Sequence, residues 1–462
     1  MNEEDSEQMS LFLEQMGYSE TDEPDSADIV LLNTCSVRSK PEEKVWSVLG
    51  RLRDIKAERP DMILGVCGCM AQVESSEIRK RAPYVDIVMG TGNLGSLPDL
   101  VNAAKAGNQI DPPSSRQKTR RNFVPLTSLA LPERKGAIVC ELPERANGRK
   151  KKLKAHVPIM YGCDKFCTFC IVPFTRGRER SRPTEDILNE ITSLSKCGVR
   201  EITLLGQTVN SYGKNMPEGK VTFTELLYQI DAIPGIERLR FTSPYPRDFT
   251  DELIIALSKL KSVCEHIHLP LQVGDDALLK DMHRGYTVDE YKQIYYKLRQ
   301  AIPNVSITTD LMLGYPGETH EQFMNTMNLV EELRFDAAFM FAYSPRPNTK
   351  AALREDQIPR EVKMERLNAL IALQNAITCE MNAASVGRIE EVMVESLSHK
   401  EGAKLSGYTR TLKMVHFGIP EDYNEPAESL IGQFLPVRLE EAHLTGFSGS
   451  YVPGDTLTPK SV

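Results

Sequence analysis

The sequence predicts an α/β protein in three parts: an N-terminal doubly wound parallel α/β domain, a central partial barrel of six β/α units, and a small antiparallel β-barrel at the end. Three observations carry this. Short apolar runs alternate with helical patterns over two long stretches, which implies parallel sheets. A segment rich in Pro, Ser and basic residues, about Ile110 to Ala155, separates them. Beyond Gly387 the pattern changes to β-branched residues alternating with polar ones, with Gly at the turns. The chain has 462 residues, enough for about three domains. The expected boundaries are 1–121, a basic linker 122–155, 156–379, and 382–452.

In the first part, "SEQMSLFLEQMGY" has apolar residues at helical spacing, followed by the apolar runs "ADIVLLNTCS", "MILGVCGCM" and "VDIVMGTG". Val45, Val48, Leu49 and Leu52 make one apolar helix face between the first two runs. Ligands of such sheets bind beyond the carboxyl ends of the strands. Cys35 falls just after one predicted strand and Cys69 just after another, with Gly68 permitting a tight turn.

The central part repeats "VPIMYG", "EITLLGQ", "RLRFTS", "HIHLPLQ", "SITTDLMLG" and "AFMFAYS". Helical patterns such as "PTEDILNEITSLSKCG" and "TVDEYKQIYYKLRQAI" follow the first five. Six units leave a barrel about three-quarters closed, whose open side suits a large substrate and whose chemistry belongs at the strands' carboxyl ends. The terminal part resembles an oligonucleotide-binding barrel; a generic barrel for protein contact is the alternative.

Composition is that of a globular protein, 41% hydrophobic and 26% charged. No apolar run reaches the roughly 18 residues of a membrane span, and "MNEEDSEQMS" lacks the basic start and apolar stretch of a signal peptide. A cytoplasmic protein without a membrane partner is expected. The formal net charge of −8 argues against non-specific nucleic-acid binding, but "RQKTRR" and "RANGRKKKLK" are local basic clusters. They read either as a solvated linker or as RNA contacts at Arg149, Lys150, Lys151 and Lys152.

Ten cysteines in such a chain do not suggest a disulfide framework. Cys140, Cys197, Cys264 and Cys379 are scattered and read as small buried hydrophobes. Cys163, Cys167 and Cys170 stand close together in "YGCDKFCTFCIVPFTRGRERSRP", directly after a predicted strand. Thiolates bind soft metals and iron–sulfur clusters. Three cysteines on a four-iron cubane leave one iron open to a small molecule. A zinc site completed by a histidine such as His156 is the alternative.

The spacing in "CDKFCTFC", placed after the first strand of a partial barrel, resembles the radical S-adenosylmethionine (SAM) superfamily. The tail "IVPFTRGRERSRP" resembles the MiaB-type methylthiotransferases that modify tRNA. So do "LLGQTVNSY", "HLPLQ", "MHRGYT", "TTDLMLGYPGET" and "YSPRPNT". In front, "NTCSVR" and "GCMAQ" resemble that family's methylthiotransferase domain; behind, the barrel resembles its RNA-binding TRAM domain.

This resemblance implies two [4Fe–4S] clusters. Cys163, Cys167 and Cys170 would ligate the cluster that cleaves SAM to a 5′-deoxyadenosyl radical. Cys35 and Cys69, with a third cysteine, would ligate an auxiliary cluster bearing the sulfur to be methylated and transferred. The family's first cysteine lies in "GCQMN", so here it would fall two positions before Met1, and the sheet's first strand would precede Met1 too; Cys67 is a substitute ligand to weigh.

Gln207 and Asn210 would hydrogen-bond SAM or simply cap a loop. Asp310 would meet a SAM hydroxyl or an internal arginine. Arg176, Arg178, Arg180 and Arg182 would meet RNA phosphate or pair with acids such as Glu179 and Glu185. The implied partners are a tRNA anticodon loop, a flavodoxin- or ferredoxin-like electron donor, and an Fe–S or sulfur carrier. The implied reaction is 2-methylthiolation of N6-(dimethylallyl)adenosine at tRNA position 37. Alternatives are a ribosomal-protein aspartate, tRNA threonylcarbamoyladenosine, or a non-catalytic RNA-binding or electron-transfer role.

Overall fold

Helix α1 (Asn2–Gln15), strand β1 (Ile29–Thr34), helix α2 (Ser39–Glu58), strand β2 (Ile63–Gly68), helix α3 (Cys69–Arg81), strand β3 (Ile87–Met89), helix α4 (Leu97–Asn108) and strand β4 (Leu126–Ser128) follow one another in the computed structural model. It describes residues 1–34, 39–108, 126–131, 152–216, 221–398, 404–419 and 426–453. The four strands form one parallel sheet in the order β1-β2-β3-β4. Strand β4 falls inside the stretch read as linker.

Strand β2 is buried along its whole length, and its side chains alternate between two cores as a central strand requires. Leu64 and Val66 pack with Leu49 and Leu52 of α2 and Ile78 of α3. Ile63 and Cys67 pack on the other face with Met9 and Phe12 of α1 and Leu97 and Val101 of α4. Helices on both faces make the sheet doubly wound.

Two compact units divide the chain. The first comprises Met1–Asn147, Met160–Arg182 and Ser344–Ala352; the second comprises Gly148–Ile159, Pro183–Tyr343 and Leu353–Val462. The first therefore includes the three-cysteine loop as well as the N-terminal sheet. In sequence that loop follows strand β5 (Lys154–Pro158) of the second unit. It carries strand β6 (Met160–Tyr161), helix α5 (Val172–Thr175) and strand β7 (Arg180–Ser181).

In the second unit the chain proceeds through α6 (Thr184–Lys196), β8 (Glu201–Leu205), α7 (Phe223–Asp231), β9 (Arg238–Phe241), α8 (Asp251–Lys259), β10 (His266–His268), α9 (Asp276–Asp281), α10 (Val288–Ala301), β11 (Ser306–Leu313), α11 (His320–Leu333), β12 (Ala337–Ala342) and α12 (Arg360–Ala383). Strands β5-β8-β9 and β10-β11-β12 form two parallel sheets. A parallel bridge between Leu239 and Val263 joins them. Six parallel strands with intervening helices are the expected partial barrel. Helices α7, α10 and α11 open with reciprocal caps, Thr222 with Glu225, Thr287 with Glu290 and Thr319 with Gln322, which satisfy amide groups the first turn leaves open.

Strands β13 (Ile389–Ser398), β14 (Lys404–Thr409), β15 (Met414–Gly418), β16 (Phe434–His443) and β17 (Gly446–Tyr451) close a terminal barrel in the order β13-β14-β15-β17-β16. Its pairings are antiparallel except β15 with β17. Val392, Val415, Phe417, Val437 and Phe447 fill it. Within the same unit, Arg238 Nη1 donates to Tyr408 O at 2.6 Å, and Arg240 donates to Thr409 O and Arg410 O at 2.9 and 2.8 Å. Arg410 Nε in turn donates to Glu265 at 2.7 Å. Arginines of β9 thus fasten the terminal barrel to the strands. Among the described residues no helix is long and apolar enough to cross a membrane.

Candidate functional site

The three-cysteine loop is pinched at its neck. Tyr161 pairs with Arg180 and Met160 with Ser181, antiparallel. Cys163 N donates to Gly177 O at 3.2 Å. Asp164 accepts from Arg178 Nε at 2.6 Å and from Glu179 N at 3.2 Å. Gly162 has φ +75°, and a Cβ there would meet Arg178 O at 2.2 Å, so only glycine fits this crossing. Within the loop Cys170 N donates to Cys167 O at 3.0 Å, and Ala351 N, from the segment Ser344–Ala352, donates to Thr168 O at 3.0 Å.

Cys163, Cys167 and Cys170 are free thiols, Cys163 buried and the other two half-buried. Burial pushes the Cys163 thiol up to about 12, and the fields of Cys170 and Cys167 add to this. Among the described residues no three His, Cys, Asp or Glu side chains are arranged to grip a single metal ion. Thiolates that each take a different corner of a multi-iron cluster stand further apart than ligands of one ion, and their soft sulfurs match iron. Three thiols on one short loop fit a cluster in that way.

Cys69 is the first residue of α3, at the carboxyl end of β2. Gly68 caps the helix at φ +91°, where a Cβ would meet Asn33 Oδ1 and Thr34 O at 2.5 Å. Thr34 Oγ1 donates to Cys67 O at 3.0 Å, which ties the ends of β1 and β2 together. Cys35, next after Thr34, lies outside the described residues. A helix N-terminus favours a thiolate. Helix α5, which begins two residues after Cys170, packs against α3. The two cysteine-bearing elements are therefore neighbours within the first unit.

Other expected site residues are placed differently. Cys67 is fully buried in the apolar core, where burial pushes its thiol up to about 12. Arg176, read as an RNA contact, is 7% exposed, and its Nη2 donates to Asp5 at 2.6 Å. The signal for this pair is in α1: Asp5 shares a helix face with the apolar Met9 and Phe12, and an acid on such a stripe needs a buried partner. Arg178 is exposed enough to meet solvent, holds Asp164, and stacks over Phe166 at 4.9 Å. Lys152 is exposed, and Arg149, Lys150 and Lys151 lie outside the described residues.

Asn210 is buried and spends its amide on the backbone of Tyr245, donating to its carbonyl at 2.9 Å and accepting from its N–H at 2.7 Å. That is the loop-capping alternative. Gln207 is half-buried just beyond β8. Asp310 lies within β11, its Oδ2 3.3 Å from His268 Nε2. Thr308 Oγ1 lies 3.0 Å from His268 Nδ1 and 3.2 Å from His266 Nε2. By strand alternation these groups share the barrel's inner face, whereas Ile307, Leu311 and Leu313 are buried on the outer one. Phe339, paired in register with Asp310, is 54% exposed and meets the His268 ring edge-on at 5.8 Å. His268 and Phe339 escaped the sequence reading. Their signal is a bulky ring and an imidazole in phase with Asp310 on strands that otherwise read as buried.

Residues 157–330 match the radical SAM superfamily, and residues 1–90 match the uncharacterized protein family UPF0004. The tRNA-2-methylthio-N(6)-dimethylallyladenosine synthase of Moorella thermoacetica is 42% identical over 98% of this chain and 96% of its own length. The proteins of the same name from Desulforamulus reducens and Clostridium botulinum are 44% and 42% identical, covering 99% and 98% of this chain and 94% and 95% of their own. Among solved structures, the radical S-adenosylmethionine methyltransferase TsrM from Kitasatospora setae superposes with a TM-score of 0.51 at 16% identity, covering 76% of this chain and 67% of that one. That likeness concerns the fold. The near-complete match to the relatives makes this chain a member of the tRNA-2-methylthio-N(6)-dimethylallyladenosine synthase family within the radical SAM superfamily.

Proposed function

We propose that Cys163, Cys167 and Cys170 hold the [4Fe–4S] cluster of a radical SAM tRNA methylthiotransferase, and that Cys35 and Cys69 help to hold a second one. The activity is that of the family: conversion of N6-(dimethylallyl)adenosine in tRNA to its 2-methylthio derivative. The relatives described above all carry this one name, which does not favour a ribosomal-protein or threonylcarbamoyladenosine substrate. The first cluster, when bound, supplies the electron that cleaves SAM.

The single observation that carries the two-cluster reading is the packing of α5 on α3. It draws the helix after Cys170 to the helix that starts at Cys69, so two thiolate sites share one compact unit. The chain's own residues do the rest. Gly162 and Asp164 fix the loop's neck and so the spacing of its thiols. In the barrel, Asp310 offers a carboxylate and Phe339 an exposed ring to a ligand, with His268 orienting the carboxylate; Gln207, just beyond β8, is the amide for SAM. Asn210 acts through the Tyr245 backbone instead. The target carbon lies on a base edge, so the base must leave its stack, which costs least in a single-stranded anticodon loop.

On the RNA side, Arg149, Lys150, Lys151, Lys152 and Arg178 are the cations for phosphate, and the terminal barrel is the RNA-binding module. A flavodoxin- or ferredoxin-like donor supplies electrons, a carrier resupplies sulfur, and the protein works in the cytoplasm. Nucleoside analysis of tRNA from a deletion strain tests the reading: 2-methylthio-dimethylallyladenosine is expected to disappear and its unthiolated precursor to accumulate. Unchanged nucleosides would reject it.

A further inference from the structure

The tail "TRGRERSRP" does not present all its arginines to solvent. Arg176 is buried beside Asp5, the two side chains 6% and 2% exposed and joined at 2.6 Å. Its Nη2 also reaches Asn2 Oδ1 at 3.3 Å. Nη1, equally enclosed, has no hydrogen-bond partner, and neither has Asp5 Oδ1. Leaving a guanidinium donor unpaired in the interior costs about 1–3 kcal/mol or more, so a site that retains one has a use for it.

The surroundings say what that use is. Asn2, which accepts from Arg176 through its side chain, accepts from Asn33 Nδ2 through its carbonyl at 2.7 Å, and Asn33 Oδ1 lies against Gly68, the residue before Cys69. Helix α5, which ends at Thr175 directly before Arg176, packs on α3, which starts at Cys69. A cluster held by thiolates carries net negative charge, more so once reduced, and its potential responds to hydrogen bonds and charge around its sulfurs.

We propose that Arg176 is the hydrogen-bond donor and charge partner of the cluster held at Cys69, presenting Nη1 to it while Asp5 fixes Nη2. This rests on the reading of Cys35 and Cys69 as ligands of a second cluster. Arg176 then belongs to the redox tuning of that centre and not to tRNA binding. Asp5 is its positioning residue.

The test uses the full-length protein with Cys163, Cys167 and Cys170 all replaced by Ala, reconstituted with iron and sulfide, so that only the second cluster remains. Iron content and a redox titration followed by electron paramagnetic resonance are the readouts. If this parent takes up no iron, the second-cluster reading fails and the proposal falls with it. If it does, Arg176→Gln is expected to shift the midpoint to more negative potential, because the reduced, more negative cluster loses its cation. Arg176→Lys should restore part of the shift. Asp5→Asn removes a negative charge and should move the midpoint the opposite way. An unchanged midpoint in a fully iron-loaded Arg176→Gln, or shifts of the same sign in Arg176→Gln and Asp5→Asn, overturns the proposal. Should Arg176→Gln lose its iron, Arg176→Lys decides: recovered iron supports the charge role, and no recovery refutes it.

Discussion

Glu201 and Arg240 form an ion pair, Oε1 to Nε 3.2 Å, in which the two side chains are only 3% and 5% exposed. The same guanidinium donates to the carbonyls of Thr409 and Arg410 in the terminal barrel. Burial pushes the Glu201 carboxyl up, but Arg240, Lys154 and Arg238 outweigh it and hold the group below the usual carboxylate range. A depressed folded value contributes stability that is fully present above the ordinary value of 4.5 and is lost as pH falls through the folded one. Glu201→Gln leaves three cations facing a neutral amide and is expected to cost about 3–5 kcal/mol. Urea denaturation across acid pH checks both parts: the wild-type loss of stability below 4.5 should be shallower in the variant.

Cys67 and Cys69 are two residues apart, yet one belongs to the core and the other to a helix start. Cys67→Ala is expected to keep all iron and lose about 1 kcal/mol, the cost of a small cavity among Met9, Phe12 and Met89. Cys69→Ala should bring a doubly loaded protein from about eight irons to about four while SAM cleavage continues and methylthio transfer stops. Iron assay and 5′-deoxyadenosine release measure the difference. Iron lost from Cys67→Ala would move the ligand set.

What could be read before any coordinates was what is encoded locally. Strand and helix periods in "SITTDLMLG" or "TVDEYKQIYYKLRQAI" depend on neighbours within a turn or two, and β11 and α10 lie where they were expected. The three-cysteine spacing is equally local. Arg176 stayed open between phosphate and an acid because its partner, Asp5, is 171 residues away, and an arginine-rich tail looks the same whether it faces phosphate or a buried carboxylate. Asn210 was ambiguous for the same reason: its amide is consumed by Tyr245, 35 residues on. Strand β4 is three residues long and has too little pattern to stand out from a linker.

Asn210 and Phe339 should respond in opposite ways. Asn210→Ala strands the buried N–H and C=O of Tyr245, and is expected to lower stability by about 2–3 kcal/mol with SAM affinity unchanged in the folded protein. Phe339→Ala removes an exposed ring and should alter stability by less than about 0.5 kcal/mol. Its effect should appear in tRNA turnover, with a reduced kcat/KM, because the ring that a flipped base or its dimethylallyl group would meet is gone. Thermal melting paired with steady-state turnover separates the two. A Phe339→Ala protein as active as wild type would show that the substrate does not use this face.

For the basic run, replacing Arg149, Lys150, Lys151 and Lys152 together by Ala tests phosphate contact through salt rather than affinity alone. Lys152 is exposed, so its cation is hydrated in the free protein and releases counterions from RNA on contact. Each phosphate contact with single-stranded nucleic acid contributes about −0.7 to the slope of log K against log salt. If all four touch RNA, the slope should become less negative by roughly 3, with binding weakened most at low salt. Turnover at saturating tRNA should change little, since these residues orient no reacting group. A parallel downward displacement of the whole line, with its slope unaltered, would mean that the run shapes the protein and does not bind phosphate.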